Sequence, residues 1–185
     1  PIMGAINTGL NNFLSSMSGS SQILLGAILA AMMAVDMGGP FNKAAYVFGT
    51  AQLTVANAGP EQFAIMAAVM IGGMVPPLAI ALATTLFKDK FTESERKSGI
   101  VNYVMGLSFI TEGAIPFAAV IPSCVVGSAI AGALSMAFGC GSRAPHGGIF
   151  ILPVITNPLM YFVALVIGSI VGAVILGLLK SKKAN

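Results

Sequence analysis

Charged residues are scarce in this sequence. Only 8% of its 185 residues are Asp, Glu, Lys or Arg, whereas 56% are hydrophobic. A soluble domain carries roughly a quarter charged residues, so this composition is typical of a membrane protein. The net charge of +3 is small, and the basic residues are not interleaved with aromatic ones. This argues against nucleic acid as a partner and predicts contact with a lipid bilayer.

Side chains that bind metals or carry out covalent chemistry are also rare. The sequence has two cysteines, Cys124 and Cys140, and a single histidine, His146. Both cysteines stand alone in apolar sequence without metal-ligand spacing, which predicts packing residues and no metal site. The sequence contains no nucleotide-binding loop and no nucleophile–base set, so we expect no cofactor and no self-contained enzyme.

The few charges are concentrated in two places. Seven charged residues lie between Lys88 and Lys97, and three lysines follow near the end at positions 180, 182 and 183. By the positive-inside rule, both segments are predicted to face the cytoplasm. The chain begins at Pro1 with no initiator methionine, which predicts a piece of a longer polypeptide.

Apolar runs bounded by helix breakers predict an all-α integral membrane protein. The expected helices cover residues 23–35, 40–56, 61–87, 121–138 and 158–179. The runs at 61–87 and 158–179 are long enough to cross a bilayer. The run at 121–138 is rich in Gly, Ala and Ser, which allow neighbouring helices to approach closely.

Two further segments interrupt apolar sequence with glycine, proline and polar residues. Residues 98–120 surround Glu112, and residues 139–156 contain Arg143 and His146. Each half of 98–120 is too short to span the bilayer, so the segment predicts a re-entrant hairpin, and residues 139–156 predict a second re-entrant element. The helices at 121–138 and 158–179 are then the only two membrane crossings between the two basic segments. An even number of crossings is required if both segments face the cytoplasm. Interrupted polar elements at membrane depth are typical of a transporter's substrate site.

Four polar clusters are candidates for that site: residues 36–43, residues 111–113, Arg143 and residues 145–148. Carboxylate, imidazole and amide groups hold sugar hydroxyls through directed hydrogen bonds, and glycine lets a ligand approach the backbone. The candidate substrate-binding residues are Glu112, His146, Thr111, Gly113, Asn42, Asp36, Lys43 and Gly147.

Structural roles are an alternative for each charged candidate. Glu112 would form an ion pair with Lys43 or Arg143 if it were structural. Asp36 would cap the helix that starts near residue 40. Lys43 would extend to the membrane interface, and His146 would be a packing residue.

Three stretches carry a resemblance to a known family. They are DMGGPFNKAAY at residues 36–46, FITEGAIPF at 109–117 and APHGGIF at 144–150. They resemble the membrane-embedded IIC component of bacterial fructose-specific phosphotransferase systems, in the family's order and over nearly the whole chain. The resemblance covers the second half of a IIC domain, the transport subdomain of the glucose/fructose superfamily. Family members generally carry a polar Asp-Pro turn after the second motif, whereas here Ala119 runs directly into Val120.

The resemblance implies sugar uptake coupled to phosphorylation. Fructose would bind to Glu112 and His146 and be presented to the phosphorylated cytoplasmic IIB domain, with IIA and HPr as upstream phosphoryl donors. Glu112 is then also the catalytic candidate, because a carboxylate can help to accept the proton of the attacking hydroxyl. The chain would not be catalytic alone but would be the membrane subunit of a phosphohistidine-dependent fructose phosphotransferase. It would lie in the bacterial cytoplasmic membrane as a multi-pass protein, and the full-length protein would be a homodimer.

A second class of function is an ion-coupled secondary sugar transporter. In that class Asp36, Glu112 and His146 would form a proton relay. Transport driven by a pH gradient without a phosphoryl donor would distinguish it from a phosphotransferase component.

Overall fold

The computed structural model describes residues 21–180, apart from the side chains of residues 118–120. The lysines at positions 182 and 183, on which part of the topology expectation depends, lie outside this range. The described chain is mostly helical, as predicted. In chain order its elements are α1 (Gln22–Val35), α2 (Pro40–Leu53), α3 (Pro60–Leu86), a 3-10 turn (Lys88–Lys90), α4 (Glu93–Leu107), a 3-10 segment (Thr111–Val120), α5 (Ile121–Ala137), β1 (Gly141–Ser142), a second 3-10 segment (Gly148–Val154), β2 (Ile155–Thr156) and α6 (Pro158–Leu179).

Helix α3 is the centre of the fold. Every residue from Met66 to Ala81 is buried, and helices α1, α2, α4, α5 and α6 all pack against it. Within residues 21–180, α3 and α6 are the two helices that are long and apolar enough to cross a membrane, and α1 and α5 are apolar but shorter. Helices α1 and α2 have 14 residues each. Each is about 21 Å long, less than the roughly 30 Å of a bilayer's hydrocarbon core.

Two prolines in the middle of α3 free two backbone carbonyls. Pro76 and Pro77 lie inside the helix and have no amide hydrogen to donate to the residues four positions earlier. Those residues are Gly72 and Gly73. The hydroxyl of Ser128 on α5 donates to the Gly72 carbonyl at 2.9 Å, and the hydroxyl of Thr111 donates to the Gly73 carbonyl at 2.9 Å. Hydroxyl groups from two other elements therefore replace the missing amides, as a helix in lipid requires.

Glycines allow α5 to pack closely against α1 and α6. Gly132 lies against the backbone of Gly26, and Gly127 lies against Gly168. A Cβ atom added to Gly127 would lie only 2.6 Å from the Gly168 carbonyl oxygen. The small residues expected at 121–138 thus serve close helix packing.

Helix α4 and the 3-10 segment after it enter the fold from the Leu86 end of α3 and turn back near its middle. The contacts made on the way in are Gly99 with Thr84, Gly106 with Leu78 and Thr111 with Gly73. Gly73 is the central residue of the 27-residue helix. On the way back, Ala114 and Phe117 pack in one cluster with Ile80 and Ala83.

Residues 139–156 enter from the opposite end of α3. Strands β1 and β2 pair antiparallel, and Gly141 of β1 packs against Phe63 near the start of α3. Between the strands the chain reaches as far as Gly148, which lies against the backbone of Phe109. The all-α expectation is corrected by this short two-stranded ribbon. Glycine and proline prevent a regular helix here, so strand pairing satisfies part of the backbone.

Two element boundaries differ from the expected ones by three residues or more. Helix α2 ends at Leu53, three residues early, because Thr54 caps it and its hydroxyl donates to the Ala51 carbonyl at 2.8 Å. Helix α4 begins at Glu93, inside the segment expected to be a charged loop. The reason is a capping box: the Thr92 hydroxyl accepts from the Glu95 amide at 3.1 Å, and the Glu95 carboxylate accepts from the Thr92 amide at 2.7 Å.

Candidate functional site

Three of the four predicted polar clusters meet along residues 109–112. The ring of Phe109 lies 4.9 Å from the ring of His146 and 6.1 Å from the ring of Tyr46 on α2. On another side, a Cβ atom added to Gly38 would lie 3.0 Å from the Glu112 carboxylate oxygen Oε1. Since the neighbouring Thr111 is bonded to the central residue of α3, the clusters meet about halfway along that helix.

The approach of residues 145–148 to residues 107–109 depends on Gly148. Its φ of +56° lies in the left-handed region, and an added Cβ would lie 2.9 Å from the Phe109 amide nitrogen. The same Cβ would lie 3.0 Å from the carbonyl carbon of Leu107. A side chain at this position would therefore force the two backbones apart.

Glu112 and His146 are both exposed at the surface of the described chain. Among residues 21–180 the two ion pairs are Lys97–Glu93 and Lys180–Glu95, so Glu112 is paired with neither Lys43 nor Arg143. The polar atoms of Glu112 and His146 have no hydrogen-bond partner within this range. These groups are thus available to a ligand.

Asp36 caps helix α2. Its Oδ2 accepts from the Phe41 amide at 2.6 Å and its Oδ1 accepts from the Asn42 amide at 2.9 Å. Asn42 is buried, and its side-chain amide donates to the Met33 carbonyl at 2.7 Å. The motif is therefore a turn held by its own polar side chains, and this turn places Gly38 beside Glu112.

The remaining candidates occupy different surroundings. Thr111 is buried and bonded to α3, whereas Lys43 is exposed. Gly113 packs against the Asn102 side chain, and Gly147 has a φ of +129°. Arg143 does not join the others, because its guanidinium lies 5.3 Å from the ring of Phe63 near the start of α3.

Sequence reasoning missed two residues that shape this site. Phe109 is buried with a φ of +62°, and its ring contacts the ring of His146. Asn102 on α4 is 2% exposed, and its side-chain nitrogen has no hydrogen-bond partner in the described part of the chain. The signal for Asn102 was a lone amide residue on the same face of α4 as Gly99 and Gly106. Residues 21–180 contain no group of three side chains able to hold a metal ion.

The charged end of the bundle is held together by Lys180. Its ammonium lies 2.7 Å from the Glu95 carboxylate and 4.2 Å from the centre of the Phe91 ring. Burial alone raises the pKa of Glu95, but the hydrogen bonds from Lys180 and Thr92 and the charge of Lys180 outweigh it and hold the pKa below its usual value. The end of α6 and the charged segment after α3 therefore lie at the same end of the fold, as the charge pattern predicts.

The chain belongs to the phosphotransferase system EIIC family. The model of that family, "Phosphotransferase system, EIIC", matches residues 1–132. EIIC proteins are membrane components, which agrees with the two helices long enough to span a bilayer.

Curated relatives carry fructose in their names. The chain is 52% identical over 175 residues to the "Fructose permease IIC component" of Bacillus amyloliquefaciens, covering 92% of this chain and 56% of that protein. It is 51% identical over 176 residues to the "PTS system fructose-specific EIIABC component" of Bacillus subtilis (strain 168), covering 92% of this chain and 27% of that protein. It is 47% identical over 193 residues to the "PTS system fructose-specific EIIB'BC component" of Escherichia coli (strain K12), covering 100% of this chain and 33% of that protein.

The chain spans about half the length of the IIC relative and about a third or less of the two multidomain relatives. No solved structure matches it.

Proposed function

We propose that the chain forms the C-terminal part of a IIC domain, the sugar-translocating membrane component of a fructose phosphotransferase system. The relatives that it matches at about half identity are named for fructose, and two of them have B and C components in one name. In this proposal the protein lies in the bacterial cytoplasmic membrane with several crossings. A phosphorylated IIB domain receives the sugar, with IIA and HPr as upstream donors, and the full-length protein is a homodimer.

The observation that carries this proposal is the meeting of the polar clusters halfway along α3. Residues 98–120 and 139–156 reach this level from opposite ends and turn back, which supports the interpretation of both as re-entrant elements. Polar groups that meet at the bilayer midplane on interrupted backbone are typical of transporter substrate sites.

Within this site, Glu112 and His146 bind the sugar hydroxyls. Their polar atoms are unoccupied by other described residues, and exposed carboxylate and imidazole groups supply strong acceptors and a donor. Lys43 is an additional donor from the start of α2.

The other candidates support these groups. Asp36 and Asn42 build the turn that carries Gly38 to Glu112, and Thr111 fixes the neighbouring backbone on α3. Gly113 and Gly147 let the sugar approach the backbone. Asp36 can contact sugar as well, because a carboxylate accepts about four hydrogen bonds and two are used.

In the reaction that this role implies, a fructose hydroxyl oxygen attacks the phosphorus carried by the cysteine of IIB. The oxygen–phosphorus bond forms, the sulfur–phosphorus bond breaks, and the hydroxyl proton leaves to Glu112 or to water. Phosphoryl transfer depends mainly on in-line positioning of the reacting atoms. Glu112 therefore contributes to the reaction mainly by positioning the fructose hydroxyl. Transport by a proton relay through Asp36, Glu112 and His146 is not favoured, because the relatives are named as phosphotransferase components and both Asp36 oxygens accept backbone amides.

The test is fructose uptake by membrane vesicles that contain the complete IIC protein and purified IIB. The proposal predicts uptake only when phosphorylated IIB is present, with fructose phosphate as the product. Accumulation of unmodified fructose under a pH gradient, without a phosphoryl donor, would instead establish the secondary transporter.

A further inference from the structure

A cavity at the charged end of the bundle lies outside the predicted sugar site. Its volume is about 620 Å3, and it opens between the end of α3 and the start of α4. The side chains that line it are Thr84, Thr85, Lys88, Glu93, Arg96, Lys97, Ile100 and Tyr103. Thr111, at the level of the sugar site, lies about ten residues of α3 away from Thr84, because its partner there is Gly73.

The charges of this cavity favour an anion. Three of the four charged side chains that line it are cationic, and the only carboxylate among them is Glu93. Glu93 is already 2.8 Å from the ammonium of Lys97. Lys88 and Arg96 supply the excess positive charge. The hydroxyl of Tyr103 donates to Thr85 at 3.1 Å, and Thr85 donates to the Ala81 carbonyl at 2.8 Å, so these two hydroxyl protons are already used. The cationic side chains are therefore the groups that bind the anion.

The surface of α4 that continues from the cavity is apolar and exposed. Ile100 is 63% exposed and Val104 is 67% exposed, and they lie on the same side of α4, one turn apart. Val104 lies about 10 Å from Lys97 along the helix axis, toward the middle of the bundle. Cations at a helix end followed by an apolar stripe match a phospholipid, with the phosphate against the cations and an acyl chain along the stripe.

We propose that this cavity binds an anionic phospholipid by its headgroup phosphate. A zwitterionic lipid carries the same phosphate, but its own cation repels Lys88 and Arg96. The specificity of the cavity is thus for a headgroup without a compensating positive charge. The proposal depends on the family's place in the membrane and not on the identity of the sugar.

The experiment is photocrosslinking in nanodiscs that contain equal amounts of phosphatidylglycerol and phosphatidylcholine. Ile100 of the complete IIC protein is replaced by p-benzoylphenylalanine, and the attached lipid is identified by mass spectrometry. We expect phosphatidylglycerol to exceed phosphatidylcholine at least about fivefold, since one cation near the membrane surface favours anionic lipid by about that factor. The same reporter at Ile170, which is 47% exposed in the middle of α6 and lines neither this cavity nor the one beside Arg143, should give equal amounts.

Charge variants separate the cavity from a general surface effect. Lys88→Gln with Arg96→Gln should return the ratio at Ile100 to about one, and a melting temperature close to that of the unmodified protein checks that the double variant folds. Arg143→Gln removes a cation that lines a cavity at the opposite end of the fold and should leave the ratio unchanged.

Three results would overturn the proposal. They are a ratio of one at Ile100 in the unmodified protein, an unchanged ratio in the double variant, and crosslinks from Ile100 to protein instead of lipid. Displacement of the lipid by millimolar inorganic phosphate at matched ionic strength would assign the cavity to a soluble phosphate and would also reject the lipid. None of these measurements uses sugar. A negative result for the lipid would therefore leave the proposed fructose transport untouched, and a negative result for fructose uptake would leave the lipid site untouched.

Discussion

The Thr111 hydroxyl donates a hydrogen bond to the Gly73 carbonyl at 2.9 Å, and this carbonyl is free because Pro77 has no amide hydrogen. One bond therefore satisfies the central helix and fixes the backbone beside Glu112. This hydrogen bond links the packing of α3 to the position of Glu112, a proposed sugar-binding residue.

Thr111→Val should destabilise the protein by about 1–3 kcal/mol, because it keeps the shape of the side chain but leaves a buried carbonyl without a donor. Thr111→Ser keeps the hydroxyl and should cost less. The measurement is the free energy of unfolding in mixed micelles. Thr50→Val is the control, since the Thr50 hydroxyl donates only to the Val47 carbonyl of its own helix at 3.0 Å, and it should change stability by less than about 0.5 kcal/mol. Equal effects of the two Val variants would contradict the role given to Thr111.

Glu112→Gln and His146→Ala should each weaken fructose binding by about tenfold. A hydrogen bond to a charged group is worth about 1.5–3 kcal/mol against about 1 kcal/mol for a neutral one, and 1.4 kcal/mol is a factor of ten. The losses should be less than additive in the double variant if both groups hold one network of hydroxyls. Phosphorylation should fall further than binding in Glu112→Gln if Glu112 also accepts the proton. Unchanged affinity in a folded Glu112→Gln protein would show that the Glu112 carboxylate does not bind the sugar.

Gly148→Ala should impair both folding and fructose binding, because the added methyl group meets the backbone of Leu107 and Phe109. Gly139→Ala is a matched control: Gly139 has a similar φ of +62°, but an added Cβ meets only the Asn157 side-chain nitrogen at 3.7 Å. The control should show the backbone cost alone, about 1–2 kcal/mol. The prediction is that Gly148→Ala loses more stability than Gly139→Ala and at least about tenfold in affinity. Equal loss in both variants would show that the close approach is unimportant.

The topology can be tested with single cysteines in a protein freed of Cys124 and Cys140. A cysteine at Ser94, beside the charged cavity, should react with an impermeant maleimide only from the cytoplasmic side. A cysteine at Asn57, in the turn between α2 and α3, should react only from outside, because the two sites lie at opposite ends of a spanning helix. Labelling of both sites from the same side of intact cells would reject this arrangement.

The contact between Glu95 and Lys180 should make stability depend on pH. Because the pKa of Glu95 in the folded protein is held below its ordinary value of 4.5, the pair stabilises the protein above that value and loses its effect as pH falls through the folded pKa. The melting temperature of Glu95→Gln should therefore lie below that of the unmodified protein at neutral pH, and the difference should shrink in acid. A difference that stays constant below pH 4.5 would show that the carboxylate charge is not involved.

Much of the fold follows from local sequence signals. The start of α6 at Pro158 and its end beside Lys180 could be placed because proline and charge mark both ends of an uninterrupted apolar run. The start of α4 was missed because the charge density of the segment suggested a loop. The Thr92–Glu95 capping box that begins the helix was present in the sequence.

The sequence marked the members of the candidate site but not how they are arranged. Glycine, proline and polar residues marked the clusters at 36–43, 111–113 and 145–148, and these three clusters do meet. The sequence offered helix capping as the structural role of Asp36, and the hydrogen bonds from the Phe41 and Asn42 amides confirm it. The sequence could not show that Phe109 contacts His146, because that contact joins two distant, irregular segments. Arg143 was expected with the others and instead lies over Phe63.

The adjacent prolines of α3 also bear on how the molecule assembles. When α3 first enters lipid, the carbonyls of Gly72 and Gly73 have no donor, and each unsatisfied group in hydrocarbon costs several kcal/mol. Their partners arrive only later in synthesis, with Thr111 and Ser128. Helix α3 is thus less stable when it is inserted alone. It becomes fully stable only when the segment that carries Glu112 has packed against it. A chain that fails to place Thr111 beside α3 therefore leaves its central helix with an unsatisfied carbonyl.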